Sequence, residues 1–276
     1  MKIKPFIKYC GGKRKLLPNI MENIPVKYNT YFEPFVGGGS VIFEIINNFT
    51  DSPSEVSLYI SDINRNLIQC YNIIKNNVDE LIVELSKTEY KNEKDVYLQK
   101  RERYNVIKFS EDENVIEQVA LFIYLNKCGY NGMHRLNKAG KFNIPFGSMK
   151  NPTICDDILL KSISEKLKNV NISCTSYQDI LELTSKDDLV YLDPPYHDTF
   201  TDYTNNVFGE QEQCELKVFV DKLTEKGVNV MLSNSATEFI KDLYKNYTII
   251  NLTTKYSLGG KGANRGDKQE VLIKNY

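Results

Sequence analysis

Tyr31-Phe32-Glu33-Pro34-Phe35-Val36-Gly37-Gly38-Gly39-Ser40 decides how the rest of this 276-residue chain is read. A short run of β-forming residues, 31–35, meets three glycines, and residues 40–49 then take up helical spacing. A strand that turns into a helix over glycines lets a ligand approach the main chain closely. It also exposes backbone N–H groups at the helix start, where a carboxylate or a phosphate is favoured. The segment is not G-x-G-x-x-G, and no Lys-Ser/Thr follows it as in a P-loop. A tight turn without a ligand accounts for Gly-Gly-Gly equally well.

Working outward, the same unit recurs. Residues 57–61 form a second strand ending at Asp62, and residues 64–76 form the following helix. Further strands are expected at 170–174, 188–192, 229–232, 247–252 and 270–274, with helices at 211–226 and 237–244 between the later ones. Such alternation argues for an α/β fold with a mostly parallel sheet covered on both faces. No clear helix separates the last two strands, so an antiparallel hairpin is expected at one edge. Residues 73–169 interrupt the pattern. They are charged and helix-prone at 78–86, 94–108 and 113–127, rich in Gly and Asn from 128 to 151, and helical again at 154–166. This interval reads as a helical domain inserted into the α/β domain.

Asp62 lies 25 residues after Gly37. In doubly wound folds an acid at the end of the second strand binds ribose hydroxyls. A helix N-cap explains Asp62 alone as well. The glycine turn and the acid together favour an adenosine-containing ligand, without choosing between a nicotinamide cofactor and S-adenosylmethionine. Asp193-Pro194-Pro195-Tyr196 makes that choice. It follows the apolar strand Leu189-Val190-Tyr191-Leu192, at the carboxyl end where these sheets bind ligands. The prolines stiffen the turn and leave carboxylate and carbonyl oxygens free to accept. A planar aromatic amine offers two N–H donors and a π face, which an Asp, a Pro carbonyl and a Tyr ring complement.

Composition is that of a soluble globular chain, with 41% apolar and 26% charged residues. No apolar run approaches the roughly 20 residues that span a bilayer. The basic N-terminus lacks the apolar stretch of a signal peptide. The six cysteines are scattered singly, which argues against a zinc site or a disulfide framework and for a reduced cytosolic setting. The net charge of −1 conceals three basic windows: +6 over residues 1–15, +5 over 127–150 and +3 over 255–268. Solvated surface explains any one of them. Three windows that also contain Gly and aromatic residues suggest a side that faces a polyanion. The two histidines, His134 and His197, have no triad or metal partner in sequence and read as surface or loop residues.

At this point the chain resembles a Dam-type DNA adenine-N6 methyltransferase of the D12 class. The matching pieces are Lys8-Tyr9-Cys10-Gly11-Gly12-Lys13, the glycine turn with its strand, Asp62-Ile63-Asn64, Tyr130-Asn131-Gly132-Met133-His134-Arg135, Phe142-Asn143-Ile144-Pro145-Phe146-Gly147 and Asp193-Pro194-Pro195-Tyr196. They follow the family's order over nearly the whole chain. The resemblance implies a Rossmann-like S-adenosylmethionine-dependent methyltransferase sheet, residues 1–72 and 170–276, with an inserted helical DNA target-recognition domain, residues 73–169. It implies methyl transfer from S-adenosylmethionine to adenine N6 in double-stranded DNA, at GATC-like sites, by base flipping and direct in-line displacement. It implies no metal.

Residue by residue, the resemblance assigns the cofactor to Tyr9, Lys13, Phe35, Gly37, Gly39, Asp62, Tyr177 and Asp193. Lys13 would hold the methionine carboxylate and Asp62 the ribose. Asp193, Pro194 and Tyr196 would carry catalysis, the first two accepting the N6 hydrogens while Tyr196 stacks on the target base. Lys8, Tyr130, Asn131, Met133, Arg135, Asn137 and Pro145 would contact DNA. Arg135 suits a guanine edge, and Tyr130 the gap left by a flipped base. Packing within a Gly-rich loop accounts equally for Met133 and Phe142. The loop 259–265, with Lys261, reads as a phosphate-contacting element. The chain departs from the family in three places: Tyr9 stands where Trp is more usual, Gly39 where some members carry other small residues, and the segment 197–208 is short.

A monomer in solution is expected, with a dimer on DNA left open, in the cytoplasm of a prokaryotic cell or encoded by a phage. A cytosine-N4 or RNA amino-methyltransferase would use the same Asp-Pro-Pro-Tyr chemistry. A nicotinamide-dependent dehydrogenase is disfavoured by the glycine spacing, and a non-catalytic DNA-binding module by the intact tetrapeptide.

Overall fold

A computed structural model describes residues 1–9, 11–48, 56–107, 115–198, 208–254 and 268–276. The loop 259–265 with Lys261, and Cys10, lie outside the described residues. In chain order the elements are α1 (Leu17–Glu22), β1 (Thr30–Glu33), α2 (Ser40–Asn48), β2 (Ser57–Ser61), α3 (Arg65–Asn76), α4 (Val78–Leu85), α5 (Lys94–Ile107), α6 (Val115–Cys128), α7 (Asp157–Leu167), β3 (Val170–Ser173), β4 (Leu189–Leu192), α8 (Glu210–Glu225), β5 (Asn229–Ser235), α9 (Glu238–Leu243), β6 (Thr248–Thr254) and β7 (Lys268–Lys274). Short 3-10 helices cover Tyr130–Gly132 and Tyr177–Glu182.

Local chemistry sets several boundaries. β1 stops at Glu33, two residues short of the sequence expectation, because Pro34 has no N–H for the ladder. Helix α3 starts at Asn64, whose side chain accepts from the Leu67 N–H at 3.3 Å. Helix α7 starts after Asp156, which accepts from the Leu159 N–H at 3.1 Å. The six-residue α1, with Pro in its first turn, was not foreseen from periodicity.

The seven strands form one sheet in the order β3-β2-β1-β4-β5-β7-β6. β1, β2, β3, β4 and β5 pair in parallel, and β7 runs antiparallel to both β5 and β6. The expected edge hairpin is present, with its second strand on the inside. This is the mixed, mostly parallel sheet of a Rossmann-like α/β fold.

Side chains alternate between two apolar layers with the period of two that a pleated strand imposes. Tyr31, Leu189, Tyr191, Met231 and Leu272 point to one layer; Phe32, Val190, Leu192, Val230, Leu232, Val271 and Ile273 point to the other. All four residues of β4 are buried, the mark of a strand covered on both faces. The second layer is closed by Leu216, Phe219, Val220 and Leu223 of α8 and Ile240 of α9. The first takes in α2, α3, α4, α6 and α7 as one continuous core, through Ile42, Tyr71, Leu81, Tyr124 and Leu160. The helical run between β2 and β3 thus shares its interior with that side of the sheet. Among the described residues no helix is long and apolar enough to cross a membrane.

Candidate active site

The chain proceeds outward from β1 to β2 and β3, then returns to place β4 on the other side of β1. The crevice at this reversal, beyond the carboxyl ends of β1 and β4, is where open α/β sheets hold ligands. β7 is antiparallel, so its opening residues reach the same edge, with Glu270 opposite Ser235.

On the β1/β2 side, Asp62 ties two segments together. Its Oδ2 accepts from the Gly37 N–H at 3.1 Å and its Oδ1 from the Asn64 N–H at 2.9 Å. Asn64, not Asp62, caps α3, so capping does not explain the aspartate. Burial pushes the Asp62 carboxyl above its ordinary range, against the pull of these backbone donors. Tyr71 donates its hydroxyl to the Gly37 carbonyl at 2.9 Å. The Tyr9 ring lies against the turn, 3.1 Å from where a Cβ on Gly37 would stand, and its hydroxyl accepts from Asn64 Nδ2 at 3.3 Å. Gly39 adopts φ +77°, and a Cβ there would stand 2.5 Å from the Tyr71 hydroxyl; close packing and a left-handed backbone both require glycine. Beside the turn, the rings of Phe35 and Tyr177 stack with centroids 5.3 Å apart. Ser61 Oγ, buried at the end of β2, has no partner among the described residues.

Across the crevice, Lys13 Nζ lies 2.6 Å from Asp193 Oδ1 and donates to the Gly11 carbonyl at 2.8 Å. The same ammonium stands 4.6 Å from the centroid of the Tyr196 ring. Burial raises the Asp193 carboxyl above its usual range, and Lys13 opposes the rise. Tyr196 donates its hydroxyl to Glu270 Oε2 at 2.8 Å. Burial first, and then the charge on Asp193, hold that phenol far above its ordinary pKa.

The turn is braced from behind. Gln213 of α8 donates to the Pro195 carbonyl at 2.9 Å, and Asn234 of β5 donates to Gln213 Oε1 at 3.0 Å. Asn234 Oδ1 accepts from the His197 N–H at 3.1 Å. The His197 ring pairs with Thr237 Oγ1 at 2.9 Å and stacks on Phe239. His134 is likewise packed, between Phe122 and Phe142; both histidines lie in loops, as expected from sequence, and both are partly buried there.

The residues expected to contact DNA also converge. Lys8 and Tyr130 are exposed, and the Tyr130 N–H donates to the carbonyl of exposed Pro145 at 3.0 Å. Asn131 and Gly132 turn the chain sharply with φ of 54° and 63°. Arg135 donates from Nε to Asn143 Oδ1 at 2.9 Å, which leaves the two terminal nitrogens of its guanidinium outside that bond. Asn137 closes its own turn, accepting from the N–H groups of Ala139 and Lys141. Met133 is half-buried against the core, and Phe142 is buried.

Comparison with known proteins decides the family. Residues 9–258 match the family described as D12 class N6 adenine-specific DNA methyltransferase. The chain belongs to this family. It is 39% identical to the type II methyltransferase M.MjaIII of Methanocaldococcus jannaschii, over 100% of both chains. Against the type II methyltransferase M1.LlaDCHI of Lactococcus lactis subsp. cremoris, identity is 37% over 99% of this chain and 96% of the relative. Against the DNA adenine methylase of Escherichia coli (strain K12) it is 34%, over 98% and 95%.

The protein is therefore an adenine-specific DNA methyltransferase, and the cytosine-N4, RNA, dehydrogenase and non-catalytic alternatives fall away. Its crevice fits an adenosine-bearing methyl donor. The Asp62 carboxylate is an acceptor held in place by backbone N–H groups, the Ser61 hydroxyl has no partner among the described residues, and a flat aromatic wall stands alongside. Sequence reading missed Glu33, Asn126, Gln213, Asn234 and Glu270, all buried and polar. Glu33 lay within the motif quoted above, but an acid in a strand gives no sign of its burial. Its Oε2 accepts from the Tyr31 hydroxyl at 2.8 Å, and burial pushes its carboxyl up to about 8.

Proposed function

We propose that this methyltransferase takes its methyl group from S-adenosylmethionine and delivers it to N6 of an adenine turned out of double-stranded DNA, at a GATC-like site. The observation that carries the reading is the shared crevice, with Asp62 and the glycine turn on one wall and the Lys13–Asp193 pair on the other. Asp62 would hold the ribose hydroxyls; Tyr9, Gly37 and Gly39 shape the turn beside it; Phe35 and Tyr177 offer the adenine an apolar face. When bound, the cofactor supplies an electrophilic methyl group on a sulfonium.

The remaining work belongs to the chain. The N6 lone pair of adenine is delocalised into the ring and is a poor nucleophile. Asp193 and the Pro194 carbonyl accept the two N6 hydrogens and draw the nitrogen toward sp³ geometry, localising the pair. Lys13 fixes the Asp193 carboxylate through Oδ1, leaving Oδ2 as the acceptor. Tyr196 stacks on the base, its ring anchored at the hydroxyl by Glu270. Positioning and preorganised acceptors lower the barrier to such a step; the proton that the methylated nitrogen must lose would pass by way of the Asp193 carboxylate to solvent, and the base must leave the stack to reach these groups. Lys13, bound to Asp193, reads better as the partner of that carboxylate than as the holder of a methionine carboxylate.

Residues 73–169, with Lys8, would recognise DNA through Tyr130, Asn131, Met133, Arg135 and Pro145, with Asn137 shaping the loop. Residues 1–72 and 170–276 would form the catalytic domain. The setting is the cytoplasm of a prokaryotic cell, host- or phage-encoded.

The test pairs mapping with one substitution. DNA from a host producing the chain is mapped for N6-methyladenine, and Asp193→Ala is assayed with labelled cofactor. The variant should lose roughly 10²-fold or more in rate, while calorimetry finds cofactor affinity nearly unchanged. Near wild-type turnover in Asp193→Ala, or methylation scattered without a common sequence, overturns the reading.

A further inference from the structure

Asn126, in the last turn of α6, is buried, and its side chain makes three hydrogen bonds to main chain, two of them to Lys8, 118 residues away. Its Oδ1 accepts from the Lys8 N–H at 2.9 Å. Its Nδ2 donates to the Lys8 carbonyl at 2.7 Å and to the Gly132 carbonyl at 2.8 Å. One amide thus fixes both backbone groups of Lys8 and the end of the Tyr130–Gly132 turn. The fit is close enough that a Cβ on Gly132 would stand 2.6 Å from the Lys8 Cβ. The Lys8 side chain remains exposed, as does Tyr130. Ordering a residue for a fixed contact costs backbone as well as side-chain entropy. Anchoring both backbone groups of Lys8 meets the backbone part of that cost before DNA arrives.

We propose that Asn126 is a positioning residue for target recognition, welding Lys8 to the Tyr130–Gly132 turn so that the two read DNA as a single rigid unit. The inference rests on the recognition surface proposed above. Asn126 itself touches no base; it acts through Lys8. The neighbouring Tyr9 lies on the glycine turn.

The experiment is a double-mutant cycle on target discrimination. Lys8→Ala, Asn126→Ala and the double variant are assayed for kcat/KM on the duplex that the wild-type protein methylates and on each of its single-base variants. Thermal melting and cofactor calorimetry establish that each variant is folded. Asn126→Ala should lower discrimination about 10-fold, at the same base pair as Lys8→Ala. The double variant should discriminate no worse than Lys8→Ala alone, since the two act through one contact. Should Asn126→Ala not fold, Gly132→Ala strikes the same junction from the other side and should give the same pattern. A folded Asn126→Ala that slows every duplex equally, or whose effect adds in full to that of Lys8→Ala, overturns the inference. If Lys8→Ala and Arg135→Ala both leave discrimination intact, the recognition surface itself is refuted, and the inference falls with it.

Discussion

Glu33→Gln should flatten the pH dependence of stability. Glu33 sits 3% exposed at the end of β1, with Tyr31 donating to its Oε2 at 2.8 Å. Burial is the main reason its carboxyl is raised from 4.5 to about 8, and the neighbouring Asp193 charge adds to the rise; the Tyr31 hydroxyl, the Ile42 N–H and Lys13 pull the other way. The folded state therefore keeps a proton that the unfolded chain releases near pH 4.5. Below that pH both states hold it, and the stabilising effect of the acid form is fully present. As pH rises from about 4.5 to about 8 the effect is lost, at about 1.4 kcal/mol per pH unit. The total is about 3–5 kcal/mol, a large part of a typical folding free energy. Glutamine keeps an acceptor for Tyr31 and has no proton to release. Denaturant unfolding followed by circular dichroism from pH 5 to 9 gives the difference between variant and wild type, in which the other titrating groups cancel. The two should be nearly equal at pH 5, with the variant gaining steadily to pH 8. A difference that is flat with pH, or a variant that weakens as pH rises, refutes the assignment of a neutral Glu33.

Gly39→Ala should cost about 1–3 kcal/mol or more, since the new Cβ would stand 2.5 Å from the Tyr71 hydroxyl at φ +77°; thermal denaturation checks this, and an unchanged melting temperature refutes it. Asp62→Ala should weaken S-adenosylmethionine binding by about 1.5–3 kcal/mol for each ribose hydrogen bond lost. Calorimetry reads that loss, and an unaltered affinity would leave Asp62 with only its structural bonds to Gly37 and Asn64.

The legible parts of the molecule were those whose chemistry is local in sequence. A glycine turn between strand and helix, an acid at the next strand end and Asp-Pro-Pro-Tyr after a buried strand each fit within ten residues. The sheet's direction followed from alternation, and the antiparallel pair at the edge from a missing helix. What escaped acts across long separations. Asn126 meets Lys8 over 118 residues, Tyr196 meets Glu270 over 74, and Gln213 meets Asn234 over 21. Nothing distinguishes these amides and acids from the chain's many other polar residues until the fold buries them, and a buried polar group must find a partner. The motif pointed to Lys13, and the fold brings it to Asp193 at 2.6 Å; which anion it meets depends on the β1/β4 crevice, which no local pattern encodes.

That crevice assigns opposite duties to two carboxylates. Glu33 and Asp193 both end strands at the point where the sheet reverses, and burial raises both. They differ in what meets them. Glu33 faces a neutral phenol, and with only a distant pull from Lys13 it retains its proton to about pH 8. Asp193 has the Lys13 ammonium at 2.6 Å, which favours its charged form. A protonated acid can donate and a carboxylate only accepts, so the ammonium beside Asp193 favours the form that only accepts, as the proposed role of this residue requires. Were Glu33 ionised as well, two buried negative charges would share one lysine, and each would weaken the hold on the other. The raised pKa of Glu33 thus helps Lys13 serve Asp193, and the neutral acid and the ion pair are two parts of one arrangement.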